Sequence, residues 1–189
     1  MRIATGAICH ETSTFTTVET TWESWTERRF GYLTGDAILD KFGARWHRDD
    51  LGVVIGTSGD AFNMGEEWKV VEERGPGRAD PFIITRMGQH MGAARVARLV
   101  GARGPNTTIN TACASGTDAL GHALSLLRLG HARAILAGGT DAMVTKLALA
   151  SMGRLGALSK NNDDPEHASR PFDARRDGFV LGEGAGMLL

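Results

Sequence analysis

The chain has little cysteine, no excess of charge of either sign and no long apolar run, and each shortage excludes a class of protein. Only Cys9 and Cys113 are cysteines among the 189 residues, which are too few and too far apart for a disulfide framework. The net charge of −1 indicates neither a nucleic-acid partner nor an anionic membrane surface. No stretch approaches the roughly 18 apolar residues of a spanning helix, and no secretory signal opens the chain. We therefore expect a cytoplasmic protein.

Glycine, by contrast, is abundant. It accounts for 25 of the 189 residues without a period of three, which indicates tight turns and close backbone approaches, as in α/β enzymes. Apolar residues make up 42% and charged residues 23%, enough for one ordinary folded domain and unlike a disordered chain.

Strand and helix patterns alternate from residue 50 onward. The continuous apolar run Leu51–Gly56 predicts a strand buried on both faces. Further strands are predicted at 107–110, at 132–137, where Gly138 and Gly139 should stop the strand, and within 178–189; helices are predicted at 61–73, 81–100 and 114–129. Residues 152–177 predict a long irregular segment. The order predicts an α/β fold with a parallel sheet and helices on its faces.

The two ends of the chain differ from this pattern. The chain stops on the apolar residues Met187–Leu189, so we expect more chain to follow. Residues 1–49 form an atypical segment in which only residues 2–8 suggest a strand, and residues 50–189 form the predicted domain.

Cys113 is the strongest candidate for chemistry. It lies between a predicted strand and a predicted helix, where the helix dipole and free backbone N–H groups favour a thiolate. Its own N–H is a candidate donor to the oxyanion of a thioester adduct. The alternative is a buried cysteine that serves only as a small apolar side chain. The residue pattern alone leaves both open.

Three blocks in a fixed order carry a family resemblance. Gly104–Leu120, which contains Cys113, Ala137–Asp141 and Ser169–Gly186 closely resemble the N-terminal half of elongating β-ketoacyl-acyl-carrier-protein synthases. The resemblance covers residues 50–189. It implies a thiolase-like N-terminal half with a mainly parallel five-stranded sheet, helices on both faces and a homodimer. It also implies that Cys113 is the catalytic nucleophile.

The resemblance further implies a reaction and its partners. An acyl chain passes from a carrier-protein or CoA thioester to Cys113, a malonyl thioester loses carbon dioxide, and the resulting carbanion attacks the acyl-enzyme. The implied partners are acyl carrier protein, acyl and malonyl thioesters, and a second copy or a complementing C-terminal half. No cofactor, metal, nucleic acid or membrane is expected, and fatty acid and polyketide synthesis stay open as alternatives.

The histidines set a limit on the activity. In the resembling family two histidines carry out decarboxylation and oxyanion stabilisation, and both come from the second half. None of the six histidines here lies in a matching motif, and we expect His122 and His131 to be exposed or capping. The chain should therefore hold half of an active site and fail to condense alone.

Other motifs have structural interpretations. Gly138–Asp141 predicts a structural turn rather than a phosphate cradle, and Glu183 a carboxylate that orients a turn. A buried ion-pair cluster is predicted from four charged residues: Arg170, Asp173, Arg176 and Asp177.

The N-terminal segment leaves other hypotheses open. Residues 1–43, with His10-Glu-Thr-Ser-Thr-Phe15, resemble the start of microcystinase-type metallopeptidases, but adjacent His10 and Glu11 cannot build a tetrahedral site. Either the chain is a chimera, or residues 1–8 supply the central strand beside 53–55 and 135–137. The alternative functions are a non-catalytic binding or dimerisation partner and a metallopeptidase-derived fragment.

Overall fold

The computed structural model describes residues 5–9, 47–58, 61–83 and 88–189. The strands are β1 (Thr5–Cys9), β2 (Leu51–Gly56), β3 (Asn106–Ile109), β4 (Ala134–Ala142) and β5 (Glu183–Leu188). The helices are α1 (Ala61–Arg74), α2 (His90–Val100), α3 (Ser115–Arg128) and α4 (Lys146–Leu155). No helix in these described ranges is long and apolar enough to cross a membrane.

The strands form one sheet in the order β1-β5-β4-β2-β3. β2 pairs in parallel with β3 and with β4, whereas β1 pairs antiparallel with β5. The predicted α/β sheet is confirmed, and it is mixed, with both parallel and antiparallel pairs. The expectation that residues 1–8 supply a strand beside 53–55 and 135–137 was wrong for the described residues 5–8, because β1 pairs with β5. β2 and β4 pair directly from Leu51–Ala134 to Gly56–Gly139 and leave no place between them.

β2 lies at the centre of the core. All six of its residues are buried, as its continuous apolar sequence predicts. Alternate side chains point to opposite faces, so Val53 and Ile55 pack with α2 while Val54 packs with α3. Each fully buried aliphatic side chain contributes about 1.5–3 kcal/mol. Helices therefore cover both faces of this part of the sheet.

β4 is longer than the sequence pattern predicts. The strand does not stop at Gly138 and Gly139 but continues to Ala142, so the predicted turn at Gly138–Asp141 was wrong. A Cβ at Gly138 would overlap the carbonyl oxygen of Gly186, and one at Gly139 would lie 3.1 Å from the Cα of Gly116. These glycines allow neighbouring backbones to approach within a continuing strand.

Two helices differ from the sequence prediction. α2 begins at His90 rather than near residue 81 and ends at Gly101, whose φ of 67° is left-handed. α4 was not predicted. It begins after Thr145, whose side chain accepts a hydrogen bond from the Ala148 N–H at 3.1 Å, and ends at left-handed Gly156.

The chain forms two compact units. Among the described residues, the sheet unit comprises 5–9, 47–58, 80–83, 88–141 and 184–189, and the loop unit comprises 61–79 and 142–183. The loop unit contains α1, α4 and the irregular segment after Gly156. The boundary between residues 49 and 50 drawn from the sequence stays a prediction.

Candidate functional site

The candidate site lies in the sheet unit, at the carboxyl edge of the parallel strands. In open α/β sheets this edge is where ligands usually bind. β3 ends at Ile109, a short turn follows, and α3 begins at Ser115. Cys113 lies in that turn, two residues before the helix, as the sequence pattern predicts.

The turn that carries Cys113 is tightly bent. The residue before it, Ala112, has a left-handed φ of 53°, which is unfavourable for a residue with a Cβ. The turn closes through hydrogen bonds from the Ala114 N–H to the Thr111 carbonyl at 3.2 Å and from the Ser115 N–H to the Ala112 carbonyl at 3.0 Å. Cys113 is exposed and its thiol is free. The alternative of a buried structural cysteine is therefore wrong for this residue.

The first turn of α3 places both the positive end of the helix dipole and a carboxylate beside the Cys113 turn. The positive end of the dipole attracts negative charge. Asp118 also lies in this first turn, where its carboxylate accepts a hydrogen bond from the Thr111 hydroxyl at 2.5 Å. Asp118 thus complements the helix dipole and holds the turn from outside.

A cavity of about 290 Å³ opens beside the sulfur. Its walls come from the end of β2, the Cys113 turn, the end of β4 and the start of β5, and they consist almost entirely of small residues: Gly56, Ala112, Cys113, Ser115, Gly116, Gly139, Thr140, Asp141, Gly184, Ala185 and Gly186. A Cβ at Gly56 would overlap the Ser115 carbonyl group. Glycine therefore lets the strand end and the helix start meet at this cavity.

Asp141 clamps the end of β2 to β4. Its carboxylate accepts hydrogen bonds from the Thr57 hydroxyl at 3.1 Å, the Ser58 N–H at 3.1 Å and the Ser58 hydroxyl at 2.9 Å. The Gly138–Asp141 motif is thus structural, in a strand rather than a turn. Thr57 and Ser58 were not singled out from the sequence. The sequence signal for this clamp was the pair of hydroxyl residues directly after a buried strand.

The charged cluster of the loop unit is less buried than predicted. Arg170 and Asp177 form an ion pair at 3.3 Å, with side chains 25% and 37% exposed. Asp173 pairs with Arg175, while Arg176 donates to the backbone carbonyl of Asp173. The prediction of a buried cluster was wrong because its members lie along an irregular segment that solvent reaches.

Hydrogen bonds shift two carboxylates of this cluster. The Ser159 hydroxyl at 2.7 Å and the Lys160 N–H at 2.9 Å, with Arg170 adding a smaller effect, hold the pKa of Asp177 below its ordinary value. The backbone N–H of Arg175 does the same for the pKa of Asp173. Both carboxylates line a polar cavity of about 710 Å³ in the loop unit.

The remaining candidates do not line the Cys113 cavity. Glu183, at the start of β5, accepts a hydrogen bond from the Val144 N–H at 3.1 Å and so orients the segment after β4. His122 is half-buried and His131 exposed, and no histidine of the described ranges lines the Cys113 cavity. The same ranges contain no group of three or more His, Cys, Asp or Glu suited to a metal ion.

Comparison with known proteins places these features in a family. The family model for the β-ketoacyl synthase N-terminal domain matches residues 14–189. A 3-oxoacyl-[acyl-carrier-protein] synthase 2 of Synechocystis is 45% identical over 142 residues, which are 75% of this chain and 34% of the relative. Its counterpart in Vibrio harveyi is 37% identical over 165 residues, 85% of this chain and 40% of the relative.

Solved structures agree with the sequence matches. A type II PKS acyl-carrier protein in complex with its ketosynthase, bound to the hexaketide, gives a TM-score of 0.71 at 30% identity, over 82% of this chain and 40% of that one. The thiolase-like α/β fold is thereby confirmed. The family match starts at residue 14 and so covers most of the segment that resembles metallopeptidases, a resemblance that is not supported.

Proposed function

Because the chain belongs to the β-ketoacyl synthase family, whose N-terminal domain it carries, we propose that it supplies the acyl-accepting half of a 3-oxoacyl-acyl-carrier-protein synthase. Cys113 is the nucleophile. The observation that carries this proposal is its free, exposed thiol, set before a helix N-terminus and facing a cavity walled by small residues.

The first step uses groups of this chain. The Cys113 thiolate attacks the carbonyl carbon of an acyl thioester, and the carbonyl oxygen takes on negative charge. The Cys113 N–H is the donor we assign to that oxyanion. When the intermediate collapses, the bond between the carbonyl carbon and the carrier sulfur breaks, the carrier thiolate leaves and the acyl group remains on Cys113.

The later steps need groups from elsewhere. The chain spans 34% and 40% of the two relatives' lengths, and no histidine of the described ranges lines its cavity. Decarboxylation of a malonyl thioester and carbon–carbon bond formation need an acid–base group and an oxyanion donor on the second substrate. We assign these to a complementing C-terminal half, without which condensation should not occur.

The proposed partners are acyl carrier protein, acyl and malonyl thioesters, and a second copy of the chain. Support for the carrier protein comes from the related ketosynthase, which was solved in complex with one. A free thiol nucleophile also needs a reducing compartment, so we place the protein in the cytoplasm. A purely non-catalytic binding role would leave the exposed thiol beside the cavity without a use.

Acyl transfer to the chain alone tests the proposal. The purified chain is incubated with a long-chain acyl-CoA or with cerulenin, and its intact mass is compared with that of Cys113→Ala. We expect one adduct on the wild type and none on the variant, with no condensation product when malonyl-CoA is added. A folded wild type that stays unmodified would contradict the assignment.

A further inference from the structure

We propose that the Ser115 hydroxyl is a positioning group for the Cys113 thiol, and that Asp141 holds Ser115 in place through Thr57. This inference rests on the proposed role of Cys113. None of the three groups has to touch the reacting atoms in order to act in this way.

Ser115 ties the two sides of the Cys113 turn together. Its oxygen accepts a hydrogen bond from the Thr111 N–H at 2.9 Å and lies 2.6 Å from the Ala112 carbonyl, to which the hydroxyl donates. These two residues directly precede Cys113. The Ser115 residue is 3% exposed, and both of these bonds are part-buried, so removing the hydroxyl leaves their partners without a protein group to bond.

The same hydroxyl connects the turn to β2. It lies 3.1 Å from the Thr57 carbonyl, a second acceptor for its proton. Thr57 is 2% exposed, and its own hydroxyl donates to the Asp141 carboxylate at 3.1 Å. Asp141 also holds Ser58 through backbone and side chain. One network of part-buried and buried hydrogen bonds therefore runs from β4 through the end of β2 to the turn.

The network matters because the turn is strained. Ala112 has a left-handed φ of 53°, a conformation that persists only where the surroundings hold it. The bonds from Ser115 to both Thr111 and Ala112 hold it here. If they are lost, the turn relaxes and Cys113 moves away from the N-terminus of α3, where the helix dipole attracts negative charge.

The first test measures the rate at which iodoacetamide alkylates Cys113 in the folded chain, followed by mass spectrometry of the tryptic peptide of residues 104–128. Ser115→Ala should slow alkylation about threefold, the size of a helix-terminus charge interaction. Ser125→Ala is the matched control, because that hydroxyl on the same helix bonds only the exposed Gly121 carbonyl. Its rate should equal that of the wild type.

Asp141→Asn keeps the shape of the side chain but turns one acceptor into a donor, so it tests the remote end of the network. It should slow alkylation less than Ser115→Ala does, and the double variant should be no slower than Ser115→Ala, since both changes act through one path. If Ser115→Ala shows no cooperative thermal transition, Asp141→Asn carries the test. Folded variants that are less stable but alkylated at the wild-type rate would overturn the proposal.

Acyl transfer gives a second readout. With acyl-CoA, a positioning role lowers the maximal rate of Cys113 acylation about threefold and leaves the half-saturating concentration unchanged. If the wild type is alkylated but never acylated, the proposed function is wrong and the positioning role is not affected. If the wild type is acylated and the variants react at the wild-type rate, the positioning role is wrong and the proposed function is not affected.

Discussion

The sheet unit and the loop unit are stabilised by different means. In the sheet unit, buried aliphatic side chains fill both faces of β2, and glycines let β2, β4, β5 and the start of α3 come into backbone contact. In the loop unit, charged side chains that remain partly exposed hold an irregular segment. We therefore expect that adding or removing a few side-chain atoms in the sheet unit changes the free energy of unfolding strongly. The same changes in the loop unit should have little effect.

The largest expected effect comes from the core of the sheet unit. Ile55 is 1% exposed, and Ile55→Ala should lower the free energy of unfolding by about 2–5 kcal/mol. Leu155 ends α4 in the loop unit and is 81% exposed, so Leu155→Ala should change the free energy of unfolding by less than about 0.5 kcal/mol. Urea unfolding measures both. Equal losses would remove the contrast between the units.

A smaller effect is expected where backbones meet. A Cβ at Gly56 would overlap the Ser115 carbonyl group, so Gly56→Ala should cost about 1–3 kcal/mol. Gly121 lies on the exposed side of α3 with nothing within 4 Å of an added Cβ, so Gly121→Ala should stabilise the chain by up to about 1 kcal/mol. Urea unfolding measures the change in both variants. A stabilising Gly56→Ala would show that the contact at the Cys113 cavity is not tight.

These glycines also explain what could be predicted from the sequence. The buried run of β2, the pattern of α3 and the place of Cys113 between strand and helix follow from local composition, which depends on few distant contacts. Gly138 and Gly139 misled the prediction of β4, because a glycine that ends a strand and one that admits a neighbouring backbone have the same local sequence. Only the tertiary structure distinguishes them.

Long-range pairing was the other limit. Residues 5–9 form a strand, yet nothing in their sequence states that β5 rather than β2 is the partner. The clamp from Asp141 to Thr57 and Ser58 joins residues more than 80 positions apart. Local patterns do not carry such contacts. The sequence therefore singled out Cys113 but not Thr57 and Ser58, which lie at the end of the neighbouring strand.

The smallest expected effect is the acid response of the loop unit. The folded-state pKa of Asp177 lies below its ordinary value of 3.8, so the bonds to this carboxylate stabilise the fold above that pH. The stability that they add is lost as pH falls through the lower folded-state value. In thermal unfolding, the difference between wild type and Asp177→Asn should be constant near neutral pH and shrink below pH 3.8.

Asp163→Asn is the matched control for this measurement, since Asp163 is an exposed carboxylate of the same segment. Its difference from wild type should stay small at every pH. A difference for Asp177→Asn that grows as the solution becomes more acidic would show that the carboxylate does not stabilise the loop.

The most direct test of the central claim locates the acyl group after reaction with acyl-CoA. Trypsin places the two cysteines in separate peptides, Cys9 in residues 3–28 and Cys113 in residues 104–128. If the cavity and the helix N-terminus activate one thiol, tandem mass spectrometry will find the acyl group on Cys113 and leave the Cys9 peptide unmodified. Equal acylation of both peptides, or acylation of Cys9 alone, would contradict the assignment of Cys113 as the nucleophile.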